Sequence, residues 1–175
     1  MGSFLAPVVI GMDPGISGAI GILSPNGDLI QVHDMPVFVT TKKVAGKTKN
    51  KSRINVHELG AILKGYSGAR AVIERVSPRP GEGTVSSFTF GTASGALHGA
   101  AGALDMRIEE PTPAQWKKHF RLSADKNAAR QAATRRWPEQ ASMFKRVMDA
   151  GRAEACLIAL YAIETGAGMA QEPRL

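Results

Sequence analysis

Two short apolar runs, Pro7 to Asp13 and Ala19 to Leu23, flank the segment PGISG, and this pairing constrains the fold more than any other stretch of the chain. Runs of that length bounded by proline and glycine read as buried strands, and the few residues between them fit a tight turn joining neighbours. Asp13 stands where the first strand ends, in GMDPGISGAIGI. A carboxylate there projects from a sheet edge, and the glycines around it let a phosphate approach the backbone. A structural turn, with Asp13 accepting from the amides that follow it, explains the same motif.

The hairpin dipeptide Asn26-Gly27 then leads into a third strand, Asp28 to Asp34, so the chain opens as a meander. Asn55 caps a helix through about Lys64, Ala69 to Val76 is a short buried strand, and SPRPGEG is a loop. Thr84 to Leu104 forms a helix that its interior glycines weaken by up to about 1 kcal/mol each. Met106 to Glu110 is a strand, Thr112 to Phe120 a helix with Pro113 in its first turn, and Ser123 to Trp137 a helix ended by Pro138. The last helix runs from about Ala150 to Ile163, before Gly166, with Leu157, Leu160 and Tyr161 on its apolar face. The order predicts an α/β domain with a mixed sheet, its first strands antiparallel and its later ones reached by helical crossovers. At 175 residues, one domain spanning 1–175 is expected.

Charge points to the partner. The net charge is +7 and the pI about 9.9, which favours a polyanion such as nucleic acid. Most of the excess lies in an insertion at about 40–54, TTKKVAGKTKNKSR, where Lys42, Lys43, Lys47, Lys49, Lys51 and Arg53 occur without an acid. This segment is expected to be an exposed, mobile loop, either merely solvated or contacting phosphates. Cys156 is the only cysteine, which excludes a disulfide framework and a thiolate zinc site and fits a core position. No apolar run reaches the roughly 18 residues of a membrane span, and Phe4 to Ile10 lacks the cationic leader of a secretory signal, so a cytoplasmic protein with no membrane partner is expected.

Three further acids join Asp13 as candidates. Glu74, in AVIERV, ends a buried strand, where a charge needs a partner; a metal would serve, and so would a salt bridge to Arg75 or Arg79. Asp149 and Glu154 lie in DAGRAEACLIAL, at the start of an apolar helix, where acids also favour the positive end of the helix dipole. Positions five apart differ by about 140° around a helix, so both acids face one site only if Asp149 precedes the first turn, with Gly151 letting the chain bend. Carboxylates about 4 Å apart repel by about 4 kcal/mol per pair at an effective dielectric near 20, which bound cations relieve. Oxygen-only ligands favour Mg²⁺ or Mn²⁺, and two such ions suit in-line attack on a phosphodiester.

GMDPGISGAIGI followed by VIERV resembles the first two acidic motifs of RuvC-type Holliday junction resolvases, within the RNase H-like superfamily. PTPAQWKKHFRLSADKNAARQAATRRWP and DAGRAEACLIALYA are similar to the phage and organellar-type branch of those nucleases, and the likeness covers nearly the whole chain. The resemblance implies an RNase H-like sheet flanked by helices, a homodimer, two divalent ions per site, no nucleotide cofactor, and paired symmetric nicks across four-way DNA. It makes Asp13, Glu74 and Glu154 metal ligands, with Asp149 as the fourth. The chain departs from the pattern locally: bacterial RuvC places its last two acids three residues apart, and position 151 here is glycine.

Lys126 in SADKNA, assigned a catalytic role, and Lys117 in QWKKHF match positions where the family carries phosphate-contacting lysines. Lys118 adjoins Lys117, and a solvated helix face is the alternative for each. The resemblance carries RVSPRPGEGTVSSFTFG, with Arg75, Arg79, Phe88 and Phe90, toward the junction centre. There a ring can stack on an unpaired base for about 1–3 kcal/mol, although at least one of the two phenylalanines is expected in the core. The small residues of GTASGALHGAAGAL would let two helices approach across a two-fold axis, with His98 in the interface.

Other readings fit parts of the chain. Actin-like kinases and ATPases share DxGxxG but need two lobes and a second phosphate loop. A non-catalytic DNA-binding module would need the basic segment but gains nothing from clustered acids. A flap or RNA–DNA hybrid nuclease on the same fold is the nearest rival.

Overall fold

The opening meander forms as the alternation predicts. In the computed structural model, which describes residues 7–44, 47–77, 81, 83–123, 125 and 127–166, β1 (Val9–Asp13) pairs antiparallel with β2 (Ala19–Leu23), and β2 pairs antiparallel with β3 (Leu29–Asp34). Gly18 closes the β1–β2 turn by donating its N–H to Gly15 O at 3.2 Å. A Cβ on Gly18 would lie 2.0 Å from the Asp13 carbonyl oxygen, so the chain can turn this tightly only with glycine there.

The basic insertion is a β-hairpin, which corrects the expected mobile loop. β4 (Val37–Val44) and β5 (Lys47–Ile54) pair antiparallel in full register as a separate two-stranded sheet. Val37, Val39, Thr40, Thr41 and Thr48 are β-branched and suit a pleated ribbon, a signal that the lysines mask in the sequence. The ribbon is rooted in the core through Ile54, which is buried, and Val37, which packs against the same cluster.

Asn55 then caps α1 (Val56–Leu63), its side chain accepting from the Glu58 amide. β6 (Arg70–Ile73) lies parallel to β1 on its other flank; it ends three residues earlier than expected. α2 (Thr84–Ala103) leads to β7 (Arg107–Glu109), parallel to β6, giving the sheet order β3-β2-β1-β6-β7. α3 (Pro113–His119) is held by a Thr112–Gln115 capping box, α4 (Ala128–Arg136) begins later than its polar pattern suggests, and Pro138 opens a 3₁₀ stretch to Phe144. α5 (Ala150–Thr165) ends at Gly166 in the left-handed conformation.

Two apolar layers sandwich the sheet. Ile10, Met12, Ile20, Ile22 and Ile73 face Leu59 and Leu63 of α1 and Leu97 and Ala101 of α2. Val9, Leu23 and Val72 face Trp116 of α3, Ala133 of α4, and Ala153 and Cys156 to Leu160 of α5. Cys156 is buried as expected, and burial pushes its thiol far above the usual range. α5 is buried nearly all round rather than along one apolar stripe.

Glycine sets how closely α5 sits on the sheet. Gly11 and Gly21 are direct partners across β1 and β2. A Cβ on Gly11 would lie 2.0 Å from Ala155 O, and one on Gly21 would lie 2.8 Å from Cys156 Sγ. At the helix start, a Cβ on Gly151 would lie 2.5 Å from Ser17 O. The first turns of α5 therefore rest directly on β1, β2 and the turn that follows Asp13. Among the described residues, no helix is long and apolar enough to cross a membrane.

Candidate active site

Strand parity brings Asp13 and Glu74 to one face of the sheet edge. Along β1, Val9, Gly11 and Asp13 share the face on which α5 lies, and along β6, Val72 and Glu74 share that same face. Glu74 follows directly on the last registered pair, Met12 with Ile73, and its amide donates to Met12 O at 3.1 Å, so the backbones of Asp13 and Glu74 end side by side. The glycine-seated start of α5 supplies Glu154 from above.

Asp13 records this convergence electrostatically. Burial holds its carboxyl well above the usual carboxylate range, and the negative charges of Glu154 and then Glu74 push it further up, while Lys117 pulls it down. Glu74 is buried, and its Oε1 accepts from the indole Nε1–H of Trp116 at 2.8 Å. Glu154 receives Lys117 Nζ at 3.4 Å, and the same ammonium lies 4.9 Å from the Trp116 ring centroid.

Two consecutive residues of α3 thus contact two different acids. Among the described residues, no three Asp, Glu, His or Cys side chains are drawn together closely enough to hold one ion as they stand. The donor set nevertheless suits a hard divalent cation, because it consists of carboxylate oxygens and Asp13 is raised by two like charges that a cation would offset.

Asp149, expected as a fourth ligand, has its carboxylate turned to Arg146. It does precede the first turn of α5, but both of its oxygens are engaged: Oδ2 accepts from the Arg146 backbone N–H at 2.7 Å, and Oδ1 accepts from Arg146 Nε at 3.0 Å and its terminal nitrogen at 2.8 Å. Arg152 lies 3.8 Å away and grips Asp34, at the end of β3, through two hydrogen bonds of 2.6 Å. Burial raises the Asp149 carboxyl, but the hydrogen bonds and charge of Arg146 outweigh it and hold the group below the usual range. Gly151 does not bend the chain toward Glu154; it is helical and lets α5 touch the β1–β2 turn.

Lys117, at Glu154, is half-buried, Lys118 beside it in sequence is exposed, and Arg75 is exposed just past Glu74, its amide donating to Pro111 O. Phe88 and Phe90 are both surface residues, at 75% and 36% exposure, so neither is core. Phe90 lies over the turn that carries Asp13, within 3.6 Å of where a Cβ on Gly15 would stand. His98 bonds Ser94 O at 2.8 Å and Glu110 at 3.1 Å. Lys43, Lys51 and Arg53 are exposed on the β4–β5 ribbon, with Arg53 stacked 5.8 Å from the Phe38 ring centroid. Lys42, Lys47 and Lys49 belong to the same strands. Arg79 and Lys126 lie outside the described residues.

Sequence reasoning missed Trp116, Arg146, Arg152 and Asp34. The signal for Trp116 was available: a tryptophan in the apolar position of a short helix needs an acceptor for its N–H, and Glu74 needed a donor.

A mixed sheet in the order β3-β2-β1-β6-β7, antiparallel from β3 to β1 and parallel from β1 to β7, with helices on both faces, has the RNase H-like fold. Within that class the fold is RuvC-type. The chain is similar to Thermus thermophilus RuvC in complex with Holliday junction substrate, at 17% identity and a TM-score of 0.54, over 92% of this chain and 96% of that one. It is likewise similar to a second Thermus thermophilus RuvC structure, at 19% identity and a TM-score of 0.51, over 91% and 96%. No protein-family model matches the sequence, and no curated protein matches it.

Proposed function

We propose that the chain is a Mg²⁺- or Mn²⁺-dependent endonuclease that resolves four-way DNA junctions by paired nicks. The observation that carries this reading is that the backbones of Asp13 and Glu74 end side by side at the sheet edge, with Asp13 also feeling the charge of Glu154 from α5, in a fold shared with a RuvC whose structure holds a Holliday junction substrate. Asp13, Glu74 and Glu154 would hold the ions, and Lys117, at Glu154, would meet the scissile phosphate. When bound, two divalent ions supply an activated water and stabilise the leaving oxygen. The residues of the chain do the rest: the edge of β1 and β6 fixes two carboxylates, and α5 brings the third.

DNA contacts extend outward from this centre. The β4–β5 ribbon carries cations in place of acids and is rooted in the core at its base, so it suits a junction arm. Arg75 and Lys118, each next in sequence to a residue of the acidic centre, face solvent, and Phe88 on α2 has the exposure needed to stack on an unpaired base. A homodimer would place two such centres on one junction. Along α2, a Cβ on Gly91, Gly95, Gly99 or Gly102 would meet nothing within 4 Å, so this helix offers a second copy a face on which backbones can approach closely.

The test incubates the protein with four-way, three-way, flap, RNA–DNA hybrid and linear duplex substrates in Mg²⁺, Mn²⁺ or chelator, and repeats it with Asp13→Asn and Glu74→Gln. Symmetric, metal-dependent incision confined to the four-way substrate, lost in both variants, is the expected result. Cutting confined to flaps or hybrids would select the rival nuclease. Undiminished cutting by either variant would remove the assigned site.

A further inference from the structure

Trp116 and Glu74 each answer a burial problem of the other. Trp116 is fully enclosed and Glu74 is 9% exposed. A buried indole N–H without an acceptor, or a buried carboxylate without a donor, is costly, and the 2.8 Å hydrogen bond between them serves both. The helix that carries Trp116 is fixed at both ends. Thr112 and Gln115 cap its start reciprocally, and the Phe120 amide donates back to Trp116 O at 3.2 Å at its end. The indole therefore holds one oxygen of Glu74 from a position it cannot readily leave. Lys117, the next residue, points about 100° away around the helix, is 43% exposed, and contacts Glu154 instead.

We infer that Trp116 is a positioning residue for metal binding: its N–H holds the Glu74 carboxylate in the orientation in which it takes up a divalent cation. The inference rests on the metal-dependent nuclease reading. A ligand already fixed by a donor loses less freedom on binding, and removing such supporting hydrogen bonds typically weakens metal affinity about 10–100-fold. Lys117 is the contrasting partner, since an exposed ammonium can leave Glu154 as the ion arrives, whereas the enclosed indole stays.

The experiment titrates the metal-free full chain with MnCl₂ by calorimetry, comparing wild type, Trp116→Phe, Glu74→Gln and the double variant. Trp116→Phe keeps an aromatic ring and removes only the indole portion with its N–H. It is expected to bind Mn²⁺ about 10–100-fold more weakly than wild type, and to cause no further loss in the Glu74→Gln background. Nuclear magnetic resonance of the ¹⁵N-labelled wild type gives a second measurement that needs no variant to fold. The indole signal of Trp116 is expected to shift on saturation with Mg²⁺, while that of Trp137, bonded to Gly27 O at 3.0 Å, stays in place. Mn²⁺ affinity of Trp116→Phe within twofold of wild type, an equal loss in both backgrounds, or an unmoved Trp116 signal would overturn the positioning role alone. A wild type that takes up no Mn²⁺ would overturn the nuclease reading, and the positioning role with it.

Discussion

Arg146 closes three hydrogen bonds on Asp149, two from its guanidinium and one from its own backbone amide, so that a nearly inaccessible carboxylate spends both oxygens on one residue three positions away. Asp149 therefore braces the entry into α5 through Arg146. Asp149→Asn is expected to cost about 1–3 kcal/mol in urea unfolding, because a buried charge-assisted network loses its anion. The same variant should bind Mn²⁺ as tightly as wild type. Calorimetry that showed a loss comparable to that of Asp13→Asn would return Asp149 to the ligand set.

Acid should dissolve this network in a defined direction. Arg146 holds Asp149, and Arg152 holds Asp34, below the ordinary carboxylate value of 3.8. A carboxyl lowered in the folded state contributes stability that is present above that value and is lost as pH falls through the folded-state value. The stability gap between wild type and Asp149→Asn should accordingly narrow as the solution is taken below 3.8. Unfolding curves at a series of pH values check it; a gap that widened on acidification would contradict the assignment.

Asp13 should behave in the opposite sense. Its ionised form is penalised by burial and by Glu154 and Glu74, so Asp13→Asn relieves repulsion in the metal-free protein. Its Tm in chelator at neutral pH should rise by a few degrees, given that 1 kcal/mol moves a domain of this size by roughly 2–4 °C. Adding Mg²⁺ at about 100 times its Kd should raise the wild type by about 2.7 kcal/mol and leave the variant nearly unchanged. Thermal melts with and without Mg²⁺ read both effects.

The seating of α5 predicts a strong response to one methyl group. Gly11→Ala would place its Cβ against the backbone of Ala155, which no side-chain rotation relieves, so a loss of about 3 kcal/mol is expected. Because the same displacement moves Glu154 away from Asp13, Mn²⁺ affinity should fall even at temperatures where the variant stays folded. Denaturant midpoints and calorimetry together separate the two effects.

Replacing Lys43, Lys51 and Arg53 by Gln removes exposed ribbon cations and leaves Ile54 and Val37 to hold the base. The slope of log affinity against log salt for a four-way junction should become shallower by about 0.9 for each phosphate no longer neutralised, while Mn²⁺ affinity is unchanged. An unaltered slope would show that the ribbon does not touch DNA.

Much of this arrangement was legible in the residues. The spacing of Asp13, Gly15 and Gly18 announced a strand, a turn and a strand, and Glu74 at the end of an apolar run announced a buried charge beside them. What escaped were features that depend on contact between distant segments. The lysines of KTKNKSR advertise solvent so strongly that the alternating Thr48, Asn50 and Ser52 between them pass as loop, although register with Val37 to Val44 makes the segment a strand of a ribbon. Asp149 looked like a ligand because the sequence shows an acid near Glu154 but not the arginine that claims it. Trp116 is core, and its N–H matters because α3 sets it against Glu74 at the end of β6.

The order in which the acids appear along the chain has a consequence for biosynthesis. A ribosome releases Asp13 and Glu74 long before Glu154, and Glu154 reaches them only when α5 settles onto Gly11 and Gly21. On the proposed nuclease reading, a nascent chain would thus carry the basic ribbon before its acidic centre is complete, and cutting would wait on the seating of α5.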